Sequence, residues 1–245
     1  MKVACLGATR GMGRALARRM AERGDQLVLL GRDRDDMLRS AQELEVLGAA
    51  GKVHVVLCDL LRPEGFAEAL DQAADRLSGL ETIVVTAGLF ATQERLEEDV
   101  QLRDRLLTAD FTNTIHFCEA ARQRLLARGG GTLCVFSSVA GDRGRKPVLL
   151  YGAAKAGLSH YLEGLDHKFR AQGLKTICVK PGFVKTGMTV GLQPPPFAGE
   201  PDGVAQAVLK AIDRGTPEIY VPGVWRWVML TIRVLPRVVM RRIGF

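Results

Sequence analysis

Short runs of apolar residues alternate with longer segments of helical periodicity along most of the chain. Most of the runs are continuous in Val, Ile and Leu, as in strands that are buried on both faces. Between them apolar residues recur at helical spacing, for example Met37, Ala41 and Leu44. The pattern predicts an α/β fold with a doubly wound, seven-stranded parallel sheet and helices on both faces. The predicted strands are residues 2–6, 26–30, 52–58, 81–85, 131–136, 174–179 and 217–221.

The C-terminal part of the chain departs from this alternation. Residues 1–223 are predicted to form a single α/β domain, and residues 224–245 a basic, amphipathic arm. The segment 191–201, which contains three consecutive prolines, predicts a long loop. We expect the ligand site of the domain beyond the carboxyl ends of the strands, as in other open parallel sheets.

A helical arm would place five apolar side chains on one stripe, with its arginines elsewhere. The stripe consists of Trp225, Val228, Met229, Ile232 and Leu235. This composition is typical of a helix that lies in a membrane interface, and packing on a neighbouring subunit is an equally good alternative. The longest uncharged run, 227–232, is far shorter than the ~20 apolar residues that a spanning helix needs, so spanning is excluded.

The charge distribution argues against a nucleic-acid-binding protein. The net charge is +7, but the arm alone carries five arginines and no acidic residue. The rest of the chain therefore has 29 basic residues (34 less five) against 27 acidic ones. Nucleic-acid binding would need basic residues spread over one face of the domain, so we expect no nucleic-acid partner.

The five cysteines lie singly inside apolar runs, and no C-x-x-C motif occurs. This usage predicts buried free thiols in a reducing compartment and neither a metal site nor a disulfide framework. The first residues run directly into a predicted strand, without an apolar leader. We therefore expect a cytoplasmic protein, with the arm as a candidate contact to the inner face of the membrane.

A glycine-rich turn joins the first predicted strand to the first predicted helix. Gly7, Gly11 and Gly13 let the backbone turn sharply and approach a pyrophosphate, whose charge the helix N-terminus would stabilise. The spacing G-x-x-x-G-x-G differs from the general dinucleotide fingerprint G-x-G-x-x-G. Its place between a buried strand and a helix predicts a nucleotide site, with a simple tight turn as the alternative.

Residues after the second and third strands indicate which dinucleotide would bind. A carboxylate at the end of the second strand would bind a ribose 2′-hydroxyl and repel a 2′-phosphate. Gly31 stands there instead, Arg32 follows it, and Arg10 could reach the same phosphate. These arginines favour NADP(H) over NAD, although Asp33 competes and Arg32 could be a solvated charge. Asp59 either accepts a hydrogen bond from adenine or caps its own turn.

Four polar residues form a candidate catalytic group. Tyr151 and Lys155 are one helical turn apart on the same face, so the ammonium can favour the phenolate of a residue whose free pKa is about 10. Ser138 follows the fifth strand, at the carboxyl edge of the sheet, and Asn113 lies in a predicted helix that asparagine disfavours. Each alone has an ordinary structural interpretation.

Together these residues resemble the short-chain dehydrogenase/reductase family over residues 2–222. The match includes the glycine turn, Thr86-Ala87-Gly88 where many members have Asn-Ala-Gly, and the ordered catalytic group. The resemblance implies a Rossmann-type fold and a hydride transfer between a nicotinamide and a carbonyl or hydroxyl carbon. A homodimer or homotetramer is also expected.

The resemblance also implies a role for each catalytic residue. Tyr151 would exchange a proton with the substrate oxygen, and Ser138 would hydrogen-bond that oxygen. Lys155 would hold the nicotinamide ribose and lower the pKa of the tyrosine, while Asn113 would position a water in the proton relay. Ser138 is preferred to Ser137 for its thirteen-residue offset from Tyr151. The implied cofactor-binding residues are Gly7, Thr9, Arg10, Gly11, Met12, Gly13, Arg32, Asp59, Leu60, Ala87, Gly88, Tyr151, Lys155, Pro181, Gly182, Val184 and Thr186.

A narrower resemblance, from residue 137 to the C-terminus, is to decaprenylphosphoryl-2-keto-erythro-pentose reductases, which reduce a keto-sugar carried on a polyprenyl phosphate. Arg143, Arg145 and Lys146 would suit the phosphate group of such a lipid-linked substrate, or they are solvated loop charges. A 3-oxoacyl, steroid or other small carbonyl reductase is the alternative enzyme. A nucleotide-sensing scaffold without turnover is the alternative from another class, although Tyr151 and Lys155 are both present.

Overall fold

The predicted strands form a parallel sheet in the computed structural model, which describes residues 1–243. The strands are β1 (Lys2–Leu6), β2 (Gln26–Gly31), β3 (His54–Leu57), β4 (Thr82–Val85), β5 (Gly131–Phe136), β6 (Leu174–Pro181) and β7 (Glu218–Val221). Their order across the sheet is β3-β2-β1-β4-β5-β6-β7, and every neighbouring pair is parallel. The doubly wound, seven-stranded architecture that the sequence predicts is therefore confirmed for the described residues.

Strand pairing sets the ends that the apolar runs leave uncertain. The third run extends over residues 52–58, but β3 begins at His54 because its ladder with β2 begins there, opposite Val28. Conversely, β6 continues past the predicted residue 179 to Pro181, because Val221 of β7 pairs with it.

Helices cover both faces of the sheet. They are α1 (Gly11–Glu22), α2 (Arg34–Leu47), α3 (Phe66–Leu77), α4 (Gln93–Glu98), α5 (Val100–Leu107), α6 (Thr114–Ala127), α7 (Leu149–Phe169), α8 (Pro201–Arg214), α9 (Val224–Val234) and α10 (Arg237–Arg242). Helix α7 begins at Leu149, so Tyr151 lies within its first turn. The segment Thr108–Asn113, predicted as ordinary helix, is a π-helical turn between α5 and α6.

Each central strand contributes side chains to two separate cores. In β1, Ala4 and Leu6 belong to a cluster with α3, α6 and α7, whereas Val3 and Cys5 belong to a cluster with α1, α2 and α8. This two-sided burial accounts for the uninterrupted apolar runs.

All five cysteines are free and buried. No helix within residues 1–243 has the length and apolarity needed to cross a membrane.

The C-terminal arm packs on the domain that precedes it. Trp225, Met229 and Ile232 of α9 form a buried cluster with Val139 and side chains near β7. The apolar stripe that the sequence assigns to a membrane or a subunit partner is thus covered by the same chain, which corrects that expectation. The loop predicted at 191–201 has no regular helix or strand before α8.

Candidate active site

A cavity of about 590 Å³ opens at the carboxyl edge of the sheet, where β1 and β4 are neighbours and their following segments diverge. The glycine turn forms one wall of this cavity. Gly7 has a φ of +94°, and a Cβ there would collide with the backbone of Ala87. A Cβ at Gly13 would collide with the Gly7 carbonyl and the Thr86 hydroxyl. Both positions therefore need glycine.

Thr86 fixes this close approach. Its hydroxyl lies 2.9 Å from the Gly7 carbonyl oxygen and 3.1 Å from the Leu6 carbonyl oxygen, and donates to them. The threonine that departs from the more frequent Asn-Ala-Gly pattern thus joins the end of β4 to the glycine turn. The sequence analysis noted Thr86 only as a departure from the family pattern. Its position as a polar residue at the end of a buried strand was the signal for a structural role.

The start of α1 suits an anionic group. Its N-cap residue, Arg10, makes no side-chain capping hydrogen bond, and its first turn contains no acidic residue. Free amide groups at a helix N-terminus attract phosphate, and the glycines leave room for the backbone to approach one. The turn and the cavity therefore fit the pyrophosphate of a nicotinamide dinucleotide.

Most of the predicted cofactor residues line the cavity, and some do not. Those that line it are Gly7, Thr9, Arg10, Gly11, Met12, Gly13, Arg32, Asp59, Leu60, Ala87, Gly88 and Thr186. The predicted residues that do not line it are Tyr151, Lys155, Pro181, Gly182 and Val184. Val184 is buried in the core and bridged to Gly199, and the Trp225 indole covers Gly182. The sequence missed Phe90, Gly187 and Met188, which also line the cavity.

At the far end of the cavity, the acidic side chains are already engaged. Asp33 accepts a hydrogen bond from the Asp36 amide at 3.0 Å and caps α2. The Asp36 carboxylate pairs with Arg10 at 3.0 Å and with Arg39 at 2.9 Å, and these arginines hold the pKa of Asp36 below its ordinary value. Arg32 is exposed at the cavity wall. Asp33, the competitor for Arg32, is thus occupied as a helix cap.

Asp59 combines both interpretations of its position. It lines the cavity, and its Oδ1 accepts a hydrogen bond from the Leu61 amide at 3.0 Å. One carboxylate oxygen therefore caps the turn after β3.

Tyr151 and Lys155 meet on the first turns of α7. The Lys155 ammonium lies 5.6 Å from the centre of the Tyr151 ring, and Phe90 packs edge-on against that ring at 5.2 Å. Phe90 also lines the cavity, so Tyr151 packs against a residue of the cavity wall. Lys155 is 5% exposed and lies 3.4 Å from the Phe136 carbonyl oxygen.

Burial dominates the protonation of this pair. Burial raises the pKa of Tyr151. Lys155 and the hydrogen bond from the Ser138 side chain act to lower this pKa, and the negative charge of Asp110 acts to raise it. For Lys155, burial acts to lower the pKa, but the carboxylate of Asp110 and the Tyr151 phenol more than offset it, so the pKa is raised. Without a cofactor, the phenol and the ammonium are therefore both protonated at neutral pH.

Asp110, not Asn113, is the partner of Lys155. The Asp110 carboxylate is fully buried, with Oδ2 3.3 Å from the Lys155 ammonium and Oδ1 accepting from the Leu89 amide at 2.6 Å. Burial raises the pKa of Asp110, and Lys155 opposes the rise. Asn113 points elsewhere and donates to the Leu60 carbonyl at 2.6 Å. The role of Asn113 in positioning a water of the proton relay stays a prediction, and its side-chain amide is engaged by the Leu60 carbonyl.

The two serines after β5 have different surroundings. Ser137 donates to the Lys155 carbonyl at 2.9 Å and lies 2.7 Å from the Ser159 hydroxyl, so it joins β5 to α7. The Ser138 hydroxyl accepts from the Ala140 amide at 3.1 Å. Ser138 is the serine that contacts Tyr151.

The basic residues of the next loop hold the arm. Arg143 donates to the Leu235 carbonyl at 2.8 Å, and Lys146 donates to the Arg241 carbonyl at 2.7 Å. Arg145 is half-buried. Two of the three residues considered for a substrate phosphate are thus engaged with the ends of α9 and α10, and the loop after Ser138 is tied to the arm.

Comparisons with known proteins agree with the fold. The model of the short chain dehydrogenase family matches residues 2–195. An uncharacterised oxidoreductase of Mycobacterium tuberculosis is 31% identical over 98% of this chain and 96% of its own length. An uncharacterised oxidoreductase of Streptomyces coelicolor is 33% identical over 97% of this chain and 94% of its own length. A short-chain type dehydrogenase/reductase structure from Mycobacterium ulcerans superimposes with a TM-score of 0.81, at 21% identity, over 89% of this chain and 86% of that one.

Proposed function

Because the chain belongs to the short-chain dehydrogenase family, and is thus an oxidoreductase, we propose that it reduces a carbonyl substrate with NADPH. The observation that carries this proposal is the Tyr151–Lys155 pair, whose phenol ring packs against Phe90 of the cavity wall. When bound, the cofactor supplies the hydride. The chain's own residues supply the proton and the orientation of the substrate oxygen.

In the proposed mechanism, Tyr151 donates its phenolic proton to the carbonyl oxygen as that oxygen gains negative charge. Ser138, which contacts the phenol, donates a second hydrogen bond to the same oxygen. The Lys155 ammonium then stabilises the phenolate. Burial raises the pKa of Tyr151, so the phenol carries the proton that reduction requires at neutral pH.

We also propose that Asp110 is a positioning residue. Its Oδ2 has no hydrogen-bond partner among the described residues apart from the ion pair with Lys155. A buried ammonium needs a partner of opposite charge, and Asp110 holds it between the sheet edge and the phenol. Asp110 thereby keeps Lys155 charged and raises the pKa of Tyr151.

Arg32→Ala tests the preference for NADPH. We expect NADPH to bind about 10- to 150-fold more weakly, since a charge-assisted hydrogen bond to the 2′-phosphate is lost, and NADH binding to be nearly unchanged. The measurement is titration calorimetry with each cofactor. Arg34→Ala is the matched control, because Arg34 is an exposed neighbour at the start of α2. An equal loss for both cofactors in Arg32→Ala would count against a 2′-phosphate contact.

For the substrate, we propose a carbonyl compound with an apolar chain, of which a keto-sugar on a polyprenyl phosphate is one candidate. Met188 lines the cavity and is exposed, and exposed Val190, Leu192 and Phe197 follow it. Arg143 and Lys146 already donate hydrogen bonds to carbonyl groups of the arm, so the apolar chain carries this proposal and a substrate phosphate does not. A panel of polyprenyl-linked keto-sugars, 3-oxoacyl thioesters, steroid ketones and small ketones, assayed by NADPH oxidation, distinguishes the candidates. Fastest turnover of the small ketones would refute the apolar-chain substrate.

A further inference from the structure

Helix α9 is apolar on two opposite faces. Its buried face, with Trp225, Met229 and Ile232, packs on the domain. At 100° per residue, a second stripe points the opposite way. It consists of Val224, Trp227, Leu230 and Val234, which are 37, 66, 53 and 74% exposed. Because one face already anchors the helix, the exposed face is available to a partner.

A second set of exposed apolar side chains lies on the loop 186–199, which contacts the start of α9. The Trp225 indole donates to the Phe197 carbonyl at 3.3 Å, so the loop 186–199 lies against the start of α9. Phe197, Met188 and Val190 are exposed on this loop, and Met188 lines the cavity. We call the exposed apolar side chains of this loop and of the α9 stripe together the mouth surface.

The charged side chains within the two segments of the mouth surface are all positive. Residues 186–199 contain no charged side chain, and residues 219–243 contain no acidic one. Five arginines of the second segment are exposed: Arg226, Arg233, Arg237, Arg241 and Arg242. Arg226 and Arg233 flank the exposed stripe of α9. Apolar side chains surrounded by cations complement an anionic bilayer, where the apolar groups enter the acyl boundary and the cations meet the headgroups.

We infer that the mouth surface docks the protein on anionic membranes, with the cavity opening at the lipid boundary. A symmetric contact between two copies would instead bring two sets of these arginines together, and residues 219–243 supply no carboxylate side chain to pair with them. The inference concerns binding to a lipid surface, so it can fail or hold independently of the proposed reaction.

The test is flotation of the intact chain with vesicles of phosphatidylcholine alone or with phosphatidylglycerol, at low and high salt. We expect binding to the anionic vesicles that weakens as salt rises, and little binding to neutral ones. Trp227→Ser with Leu230→Ser should weaken binding by more than about tenfold, because the exposed apolar groups no longer insert. Arg226→Gln with Arg237→Gln should cost about fivefold per charge.

Val46→Ser with Val100→Ser is the matched control, since both valines are exposed on other helices and should leave binding unchanged. Circular dichroism verifies that each variant folds. The inference is overturned if the intact chain does not float with anionic vesicles at low salt, or if Trp227→Ser with Leu230→Ser floats like the unchanged protein. It is also overturned if that variant instead loses self-association in sedimentation equilibrium, which would assign the surface to a second copy.

Discussion

Tyr151→Phe is expected to lower turnover by about 10²- to 10⁴-fold, the usual contribution of a positioned acid–base group, while NADPH affinity stays nearly constant. The ring that packs against Phe90 is retained, and only the proton donor is lost. Turnover is measured by NADPH oxidation with the carbonyl compound that the unchanged enzyme reduces fastest. Cofactor affinity is measured by calorimetry.

Tyr161→Phe provides the matched control for this substitution. Tyr161 lies on the same helix, but its hydroxyl donates to Glu119 at 2.7 Å, outside the catalytic group. Its loss should cost about 1 kcal/mol of stability and leave turnover unchanged. Turnover of Tyr151→Phe within about twofold of the unchanged enzyme would remove the phenol from the mechanism.

Asp110→Ala is expected to lower the free energy of unfolding by about 3–5 kcal/mol, because it leaves the Lys155 ammonium buried without its partner. Chemical denaturation measures this loss. Asn113→Ala is the comparison, since it removes only a buried hydrogen bond to the Leu60 carbonyl and should cost about 1–3 kcal/mol. Equal losses would contradict the special place of Asp110.

Asp110→Asn separates positioning from stability. The amide keeps the shape and an acceptor for the Leu89 amide, so folding and turnover should be rescued relative to alanine. Removing the negative charge lowers the pKa of both Lys155 and Tyr151, since Asp110 raises both. Both groups must be protonated for reduction, so the alkaline fall in kcat/KM should move to lower pH. An unchanged pH profile would show that Asp110 is merely structural.

The sheet could be predicted from the apolar runs because short, continuous runs of Val, Ile and Leu are typical of strands that are buried on both faces. Strand ends were less predictable, since β3 begins where β2 offers a partner, and that depends on residues distant in sequence. The glycine turn could be recognised from the sequence because a Cβ at Gly7 or Gly13 would collide with neighbouring atoms, so only glycine fits these positions.

Within the candidate site, the sequence analysis did not identify Asp110. This residue lies in a π-helical turn and pairs with Lys155, which is 45 residues away in sequence, so the contact depends on how α7 packs on this turn. The arm was correctly predicted to be helical and amphipathic. The second apolar face of α9, with Trp227 and Leu230, was not predicted, because the stripe of Trp225, Met229 and Ile232 already accounted for the helical spacing of apolar residues. The oligomeric state stays a prediction.

Titration calorimetry of the unchanged protein with NADPH and with NADH tests the central claim most directly. The claim is that the glycine-turn cavity, with Arg32 at its wall and Asp33 engaged as a helix cap, holds NADPH for carbonyl reduction. We expect one NADPH per chain, bound at least about tenfold more tightly than NADH. Equal or tighter binding of NADH, or no binding of either cofactor, would contradict the account.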